Sequence, residues 1–263
     1  MRLWSAKRKN EENKMNIAVI DTETIGDFAH PLVYDFSYVI FDNEKDYAPI
    51  VQKERIVKEL QTAGLGVMSE SQWYRDKRVH YENRIRVNPE TLMSWKDILK
   101  ELESVCAQYN VTTFAGYNFA FDVRAIENTS VMFQYPFRIE PNNCIDIMRF
   151  ACETVLNTKK YRNFCNKYNG TPRCKGEKHG LISSAGNYRA TAEACYKFMT
   201  GSPFMIESHF GIDDALQEAW ILAELYKVTG KEPTKGFIPH VWRLIQPVKV
   251  AKEHEGNELI ANN

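Results

Sequence analysis

Three stretches of this 263-residue chain place acids, and in one case a histidine, at the ends of apolar runs. Asp21-Thr22-Glu23 follows Ile17-Ala18-Val19-Ile20, Asp122 closes Asn118-Phe119-Ala120-Phe121, and His209 stands five positions before Asp214 in His209-Phe210-Gly211-Ile212-Asp213-Asp214. Carboxylates are the hard oxygen ligands that magnesium requires. Two divalent ions about 4 Å apart, caged by converging carboxylates, supply what phosphodiester hydrolysis needs at neutral pH: a nucleophile made from water and neutralisation of the phosphate charge. A histidine titrates near neutrality, so one beside such a cluster can take the proton of the attacking water.

Each stretch alone has a plain structural explanation. Two acids after a strand can form a solvated turn, Asp122 can favour the positive end of a helix dipole, and a histidine with first-turn acids can simply cap a helix. Asp213 stands beside Asp214, where the positive end of the helix also favours an acid. The chemical reading therefore rests on the coincidence of all three stretches.

The elements around them must bring these side chains together. Residues 17–20 read as a buried strand with Asp21 at its tip, where Asp and Glu two apart can point to one side. Residues 33–41 and 48–57 read as the next two strands of a meander. The pattern turns helical from about 70 to 109, with Asn88-Pro89 as a start signal and Leu92, Trp95, Leu99, Leu102 and Val105 on one face. Residues 112–117 form another strand, a helix follows through Phe121, Val123 and Ile126, and 144–147 is a last short strand. A glycine- and lysine-rich loop over 169–187 separates the helices on either side of it. The final helix, 212–228, carries Leu216, Ala219, Trp220, Ala223 and Tyr226 on one face. Strands first, then helices interleaved with single strands, give an α/β layered domain with a mixed sheet. The expected division is a flexible arm over 1–14, a domain over 15–230 and an extension over 231–263.

Composition narrows the class. With 44% hydrophobic residues the chain can bury a full core, as one domain. Lys+Arg and Asp+Glu are both 34, which argues against a non-specific nucleic-acid coat and leaves room for an enzyme that holds a few nucleotides locally. The six cysteines show no C-x-x-C pair and read as reduced thiols; Cys165, Cys174 and His179 fit no compact zinc module. No run of about 18 apolar residues and no apolar leader is present, so a cytoplasmic protein without a membrane span is expected.

In this order, the stretches IAVIDTETIGD (17–27), FAGYNFAFDVRAI (114–126) and ESHFGIDDALQEAWILAEL (207–225) resemble the DnaQ-like DEDDh exonucleases. That group includes the proofreading ε subunit of bacterial DNA polymerase III and ribonuclease T. The resemblance implies a ribonuclease H-like mixed five-stranded sheet flanked by helices, and a 3′→5′ exonuclease releasing nucleoside 5′-monophosphates. It implies two Mg2+ ions, with Mn2+ able to substitute. Asp21, Glu23 and Asp214 would hold the nucleophile-side ion, Asp21 would share the second, Asp122 would support that second ion, and His209 would be the general base.

Thr22, Thr24, Ile25, Asn118 and Phe119 are the expected substrate contacts. The family often continues its first motif with a second Thr and then Thr-Gly, whereas Thr24 here is followed by Ile25-Gly26; Ile25 is expected to stack against the terminal base. Phe119 and Phe121 are candidates to stack a splayed 3′ base, with Phe121 the more core-like. Arg173, Lys175, Lys178 and Arg189 offer contacts to a phosphate backbone, the alternative being a solvated loop. The expected partner is the 3′ end of a single-stranded nucleic acid, DNA ahead of RNA, in proofreading, repair or processing. The alternatives are an exoribonuclease and a non-catalytic replisome component. The tail 236–247, with Trp242, Leu244 and Ile245, is expected to fold back on its own domain, the alternative being a polymerase or replisome partner.

Overall fold

β1 (Asn16–Ile25) is buried on both faces over its first five residues, then alternates from Asp21 onward. It lies near the middle of a sheet that a computed structural model describes over residues 16–42, 48–61, 72–169, 180–205 and 208–246, with the backbone alone for 72–76. β2 (Leu32–Phe41) and β3 (Pro49–Val57) follow as an antiparallel meander, and β5 (Val111–Gly116) and β6 (Cys144–Asp146) run parallel to β1 on its other side. β4 (Leu92–Met93) adds two residues parallel to β3, so the strand order is β4-β3-β2-β1-β5-β6. Among the described residues the sheet is mixed and six-stranded rather than five-stranded, the addition being this short edge.

Helices cover both faces. α2 (Trp95–Gln108) and α3 (Ala120–Met132) pack on one face against Ala18, Ile20, Phe36 and Tyr38. α4 (Ile147–Glu153), α5 (Lys159–Tyr168), α6 (Ala192–Thr200) and α7 (Gly211–Thr229) pack on the other against Ile17, Val19, Val39 and Phe41. Each such side chain taken from water contributes about 1.5–3 kcal/mol. α1 (Gln72–Val87) precedes the break at Asn88-Pro89. Pro89 opens a 3-10 turn rather than α2; the helix starts at Ser94, whose hydroxyl accepts from the Asp97 N–H at 3.2 Å.

Two boundaries differ from expectation with consequences for the site. β1 does not stop at Ile20 but runs to Ile25, because the β-branched Thr22, Thr24 and Ile25 pair with β2 down to Leu32. Asp21 and Glu23 therefore sit within a strand, opposite Ser37 and Asp35, and the register shifts between Glu23 and Thr24. Such a bulge bends the strand just past the acids. Residues 231–246 fold back on the domain: Lys235 bridges Ile145, the Gly236 N–H donates to the Cys144 carbonyl at 2.9 Å, and Val241 and Ile245 are buried.

No helix among the described residues is long and apolar enough to cross a membrane. Cys144, Cys152, Cys165 and Cys195 are free and buried. Cys174, His179, Arg173, Lys175, Lys178 and the arm 1–14 lie outside the described residues.

Candidate active site

Strand parity decides which way the first acids face. Ile17 and Val19 belong to the cluster under α7, while Ala18 and Ile20 belong to the cluster under α3. Continuing the alternation puts Asp21 and Glu23 on the α7 face and Thr22 on the α3 face. There Thr22 donates both its backbone N–H (3.2 Å) and its hydroxyl (2.7 Å) to Oδ1 of Asp122 in the first turn of α3. These two bonds tie α3 to β1 and bring the Asp122 carboxylate close enough to add to the charge felt by Asp21.

On the α7 side, Gly211 lets the helix start in contact with β2. A Cβ at this position would lie 2.8 Å from Ser37 Oγ and 3.0 Å from Asp35 Oδ1. Asp35 is itself buried and accepts from Ser37 Oγ (2.8 Å), Tyr81 OH (3.2 Å) and the Gly211 N–H (3.4 Å). The helix so placed carries Asp214, buried, in its first turn. His209, just before it, holds a left-handed φ of 55°. Its neighbour Phe210 is gripped by α1: His80 and Tyr81 pack edge-on at 5.5 and 5.8 Å, and Lys77 and Arg84 lie over the ring at 4.8 and 4.3 Å. Donor atoms of Glu23, His209 and Asp214 consequently all lie within 4.8 Å of one another, a spacing that can hold a metal ion.

These groups line one cleft of about 600 Å³ together with Asp21, Asn118 and Glu218. Burial, then the charges of Glu218, Asp122, Glu23 and Asp214, raise the Asp21 carboxyl well above the ordinary range. Burial raises Glu23 to about 8 against the opposing pull of Lys77, whose ammonium lies 3.3 Å from it. Burial likewise raises Asp122 to about 7 in spite of the Thr22 bonds. So many carboxylates crowded out of water take up protons unless cations neutralise them. With hard oxygen donors and one imidazole converging, the donor set suits divalent ions.

Sequence reasoning missed four groups here. Glu218, one helical turn beyond Asp214 on α7, lines the cleft and accepts the Tyr117 N–H at 3.0 Å; the i, i+4 spacing was the available signal. Asp35, an isolated acid in the apolar run of β2, braces the start of α7. Asp146 accepts the N–H groups of Asn118 (3.1 Å) and Met148 (3.1 Å), which fixes the turn that presents Asn118 with a φ of 58°. Lys77 gave no signal, since its partner Glu23 is far away in the chain.

The expected substrate contacts divide. Asn118 is exposed in the cleft and Thr22 lines it with its hydroxyl committed to Asp122. Thr24 lies past the bulge, half-buried, and Ile25 is buried in the core, so Ile25 presents no face to a base. Phe119 is fully buried against Gly116, where an added Cβ would meet its ring at 2.4 Å, and stacking on it is not available either. Phe121, expected to be the core residue, is half-buried and packs 5.6 Å from the exposed ring of Phe28. Arg189 is half-buried.

No protein-family model and no curated protein matches the chain. Solved structures do. The nuclease domain of 3′hExo, a DEDDh family member bound to rAMP, superposes with a TM-score of 0.51 over 86% of this chain and 98% of that one at 12% identity. A full-length 3′-exonuclease gives 0.51 over 90% and 92%, also at 12% identity. The chain thus has the ribonuclease H-like fold of the DEDDh 3′-exonucleases.

Proposed function

We propose that the protein is a metal-dependent 3′→5′ exonuclease that hydrolyses the terminal phosphodiester of single-stranded DNA and releases nucleoside 5′-monophosphates. The observation that carries this reading is the meeting of Glu23, His209 and Asp214 donor atoms within 4.8 Å, in a cleft that Asp21 also lines. Asp21, Glu23 and Asp214 would hold one Mg2+ ion, and Asp21 with Asp122 a second, with Mn2+ as a substitute. Bound there, the ions lower the pKa of water and neutralise the phosphate.

The remaining work belongs to the chain. His209 accepts the proton of the attacking water and passes it to solvent, from a position fixed by Phe210. Thr22 orients the Asp122 carboxylate, and Asn118 offers a side-chain amide to the nucleotide. An exoribonuclease is the second reading, favoured by the rAMP bound to the similarly folded 3′hExo domain.

The test is incubation of the purified protein with 5′-labelled single-stranded DNA and RNA oligonucleotides in Mg2+, Mn2+ or EDTA. Stepwise shortening that needs the metal and that Asp21→Ala abolishes is expected, with His209→Ala slower by about 10²-fold. Shortening that survives Asp21→Ala overturns the assignment.

A further inference from the structure

The cleft has walls that the acid cluster does not explain. Phe28 is 79% exposed and Trp242 is 36% exposed, yet both line it, with His240 beside Trp242. The two rings have separate supports. Phe28 belongs to the β1–β2 connection and rests on Phe121 of α3. Trp242 belongs to the C-terminal segment, which is pinned at several points. Arg149 Nη1 donates to the Gly236 carbonyl at 3.3 Å, and the Gln246 side chain both accepts from the Tyr188 N–H and donates to its carbonyl, each at 2.9 Å. A left-handed φ of 55° at His240 turns the chain into the 3-10 stretch Val241–Ile245. Val241 and Ile245 point into the core, while Trp242 is left on the cleft side.

Each ring also has a guanidinium over it: Arg124 lies 5.3 Å from the Phe28 centroid and Arg243 lies 5.5 Å from that of Trp242. An aromatic face with an adjacent cation is the pairing that binds unpaired nucleotides, the ring taking a base and the cation a phosphate. A cleft lined by carboxylates repels phosphates, so cations at the walls have a particular value here. Resting on the nuclease reading above, we propose that Trp242 is a base-stacking residue of the substrate cleft, with Phe28 as a second platform. Residues 231–246 are then part of the nucleic-acid site and not a docking arm for a protein.

Binding measured without turnover tests this separately from catalysis. Fluorescence anisotropy of a 5′-fluorescein-labelled single-stranded oligonucleotide in Ca2+ is compared among the parent, Trp242→Ala, Trp242→Phe and Leu244→Ala. Leu244 is exposed on the same segment but does not line the cleft. Expected are a Kd about 10-fold or more weaker for Trp242→Ala, most of the affinity kept by Trp242→Phe, and parental binding by Leu244→Ala. Tryptophan fluorescence of the parent is quenched by the unlabelled oligonucleotide, and that quenching is lost in Trp242→Phe. Parental affinity in Trp242→Ala overturns the inference, as does an equal loss in Leu244→Ala, which would mark a disturbed segment and not base stacking. Metal-dependent shortening with unaltered Trp242→Ala binding sinks this inference alone. Trp242-dependent binding without any shortening sinks the catalytic reading alone.

Discussion

The Lys77 ammonium, carried by α1, lies 3.3 Å from Oε1 of Glu23 on β1, with both side chains nearly buried. Burial raises the Glu23 carboxyl and lowers the Lys77 ammonium, and each opposes the shift of the other. In the metal-free protein, Lys77→Met removes the counter-charge of Glu23. At pH 5 Glu23, whose value is about 8, is protonated and the loss is small. At pH 8 the parent's carboxylate is partly ionised and Lys77 favours that charge; without it the Glu23 value climbs further from its unfolded one, and the variant should be less stable than the parent by about 1–3 kcal/mol. Thermal melts in EDTA at the two pH values check this; an equal deficit at both would show that the pairing is not electrostatic.

The same carboxylates set the pH dependence of the parent. Glu23 rises from 4.5 to about 8 and Asp122 from 3.8 to about 7 on folding. Groups with raised folded-state values contribute stability below their unfolded values and lose it as pH climbs through the folded ones. The Tm in EDTA should therefore fall between about pH 5 and pH 8, at about 2–4 °C per kcal/mol lost. Ions bind the ionised cluster, so saturating Mg2+ or Mn2+ should restore the Tm, and by more at pH 8 than at pH 5. Calorimetry over that range decides. A Tm indifferent to the divalent ion at pH 8 would argue against a metal site.

Thr22 holds Asp122 through a side-chain hydroxyl that Val cannot supply. Thr22→Val keeps the shape and the backbone N–H bond but leaves the buried carboxylate one donor short, at a cost of about 1–3 kcal/mol. The Asp122 value should rise further above 7, so a higher Mg2+ concentration is needed at neutral pH, and less extra at pH 9. Titration of oligonucleotide shortening with Mg2+ at both pH values measures this.

How much of this was legible in the sequence depends on distance along the chain. Asp21, Glu23, Asp122, His209 and Asp214 were marked only by the coincidence of three stretches, each unremarkable alone, in the order in which the DEDDh exonucleases carry theirs. The end of β1 was not marked, because Asp21 interrupts the apolar run while the pairing with β2 that carries the strand to Ile25 is a tertiary matter. β4 exists only because Leu92 meets Ile56, and two residues leave no pattern to read. The sequence favoured Phe121 as the core residue, and the structure buries Phe119 instead. Their roles were divided by Gly116, whose missing side chain makes room for Phe119 in the core.

Phe210 connects α1 to the residue expected to act as base. Phe210→Ala removes the ring on which His80, Tyr81, Lys77 and Arg84 converge, freeing His209 to leave its left-handed conformation. With the substrate cleft otherwise intact, kcat on an oligonucleotide should fall by about tenfold or more while KM changes little. Phe210→Tyr, which keeps the ring, should retain most of the rate. A parallel rise in KM would instead place the ring in substrate binding.

Glu218 offers the cleanest separation of charge from shape. After burial it is the largest influence on Asp21, and its Oε2 accepts the Tyr117 N–H at 3.0 Å. Glu218→Gln preserves that acceptor and the side-chain volume while deleting one negative charge from the cluster. The Asp21 value should drop towards the ordinary range, so ionising it in the folded state costs less. The metal-free variant should therefore be more stable than the parent at pH 8 and closer to it at pH 5, the reverse of the Lys77→Met pattern. Because acting through Asp21 requires that the carboxylates interact, the stability of a Glu218→Gln, Lys77→Met double variant at pH 8 should depart from the sum of the two single effects. Strict independence of the two substitutions in EDTA melts would mean that the carboxylates do not share one electrostatic cluster.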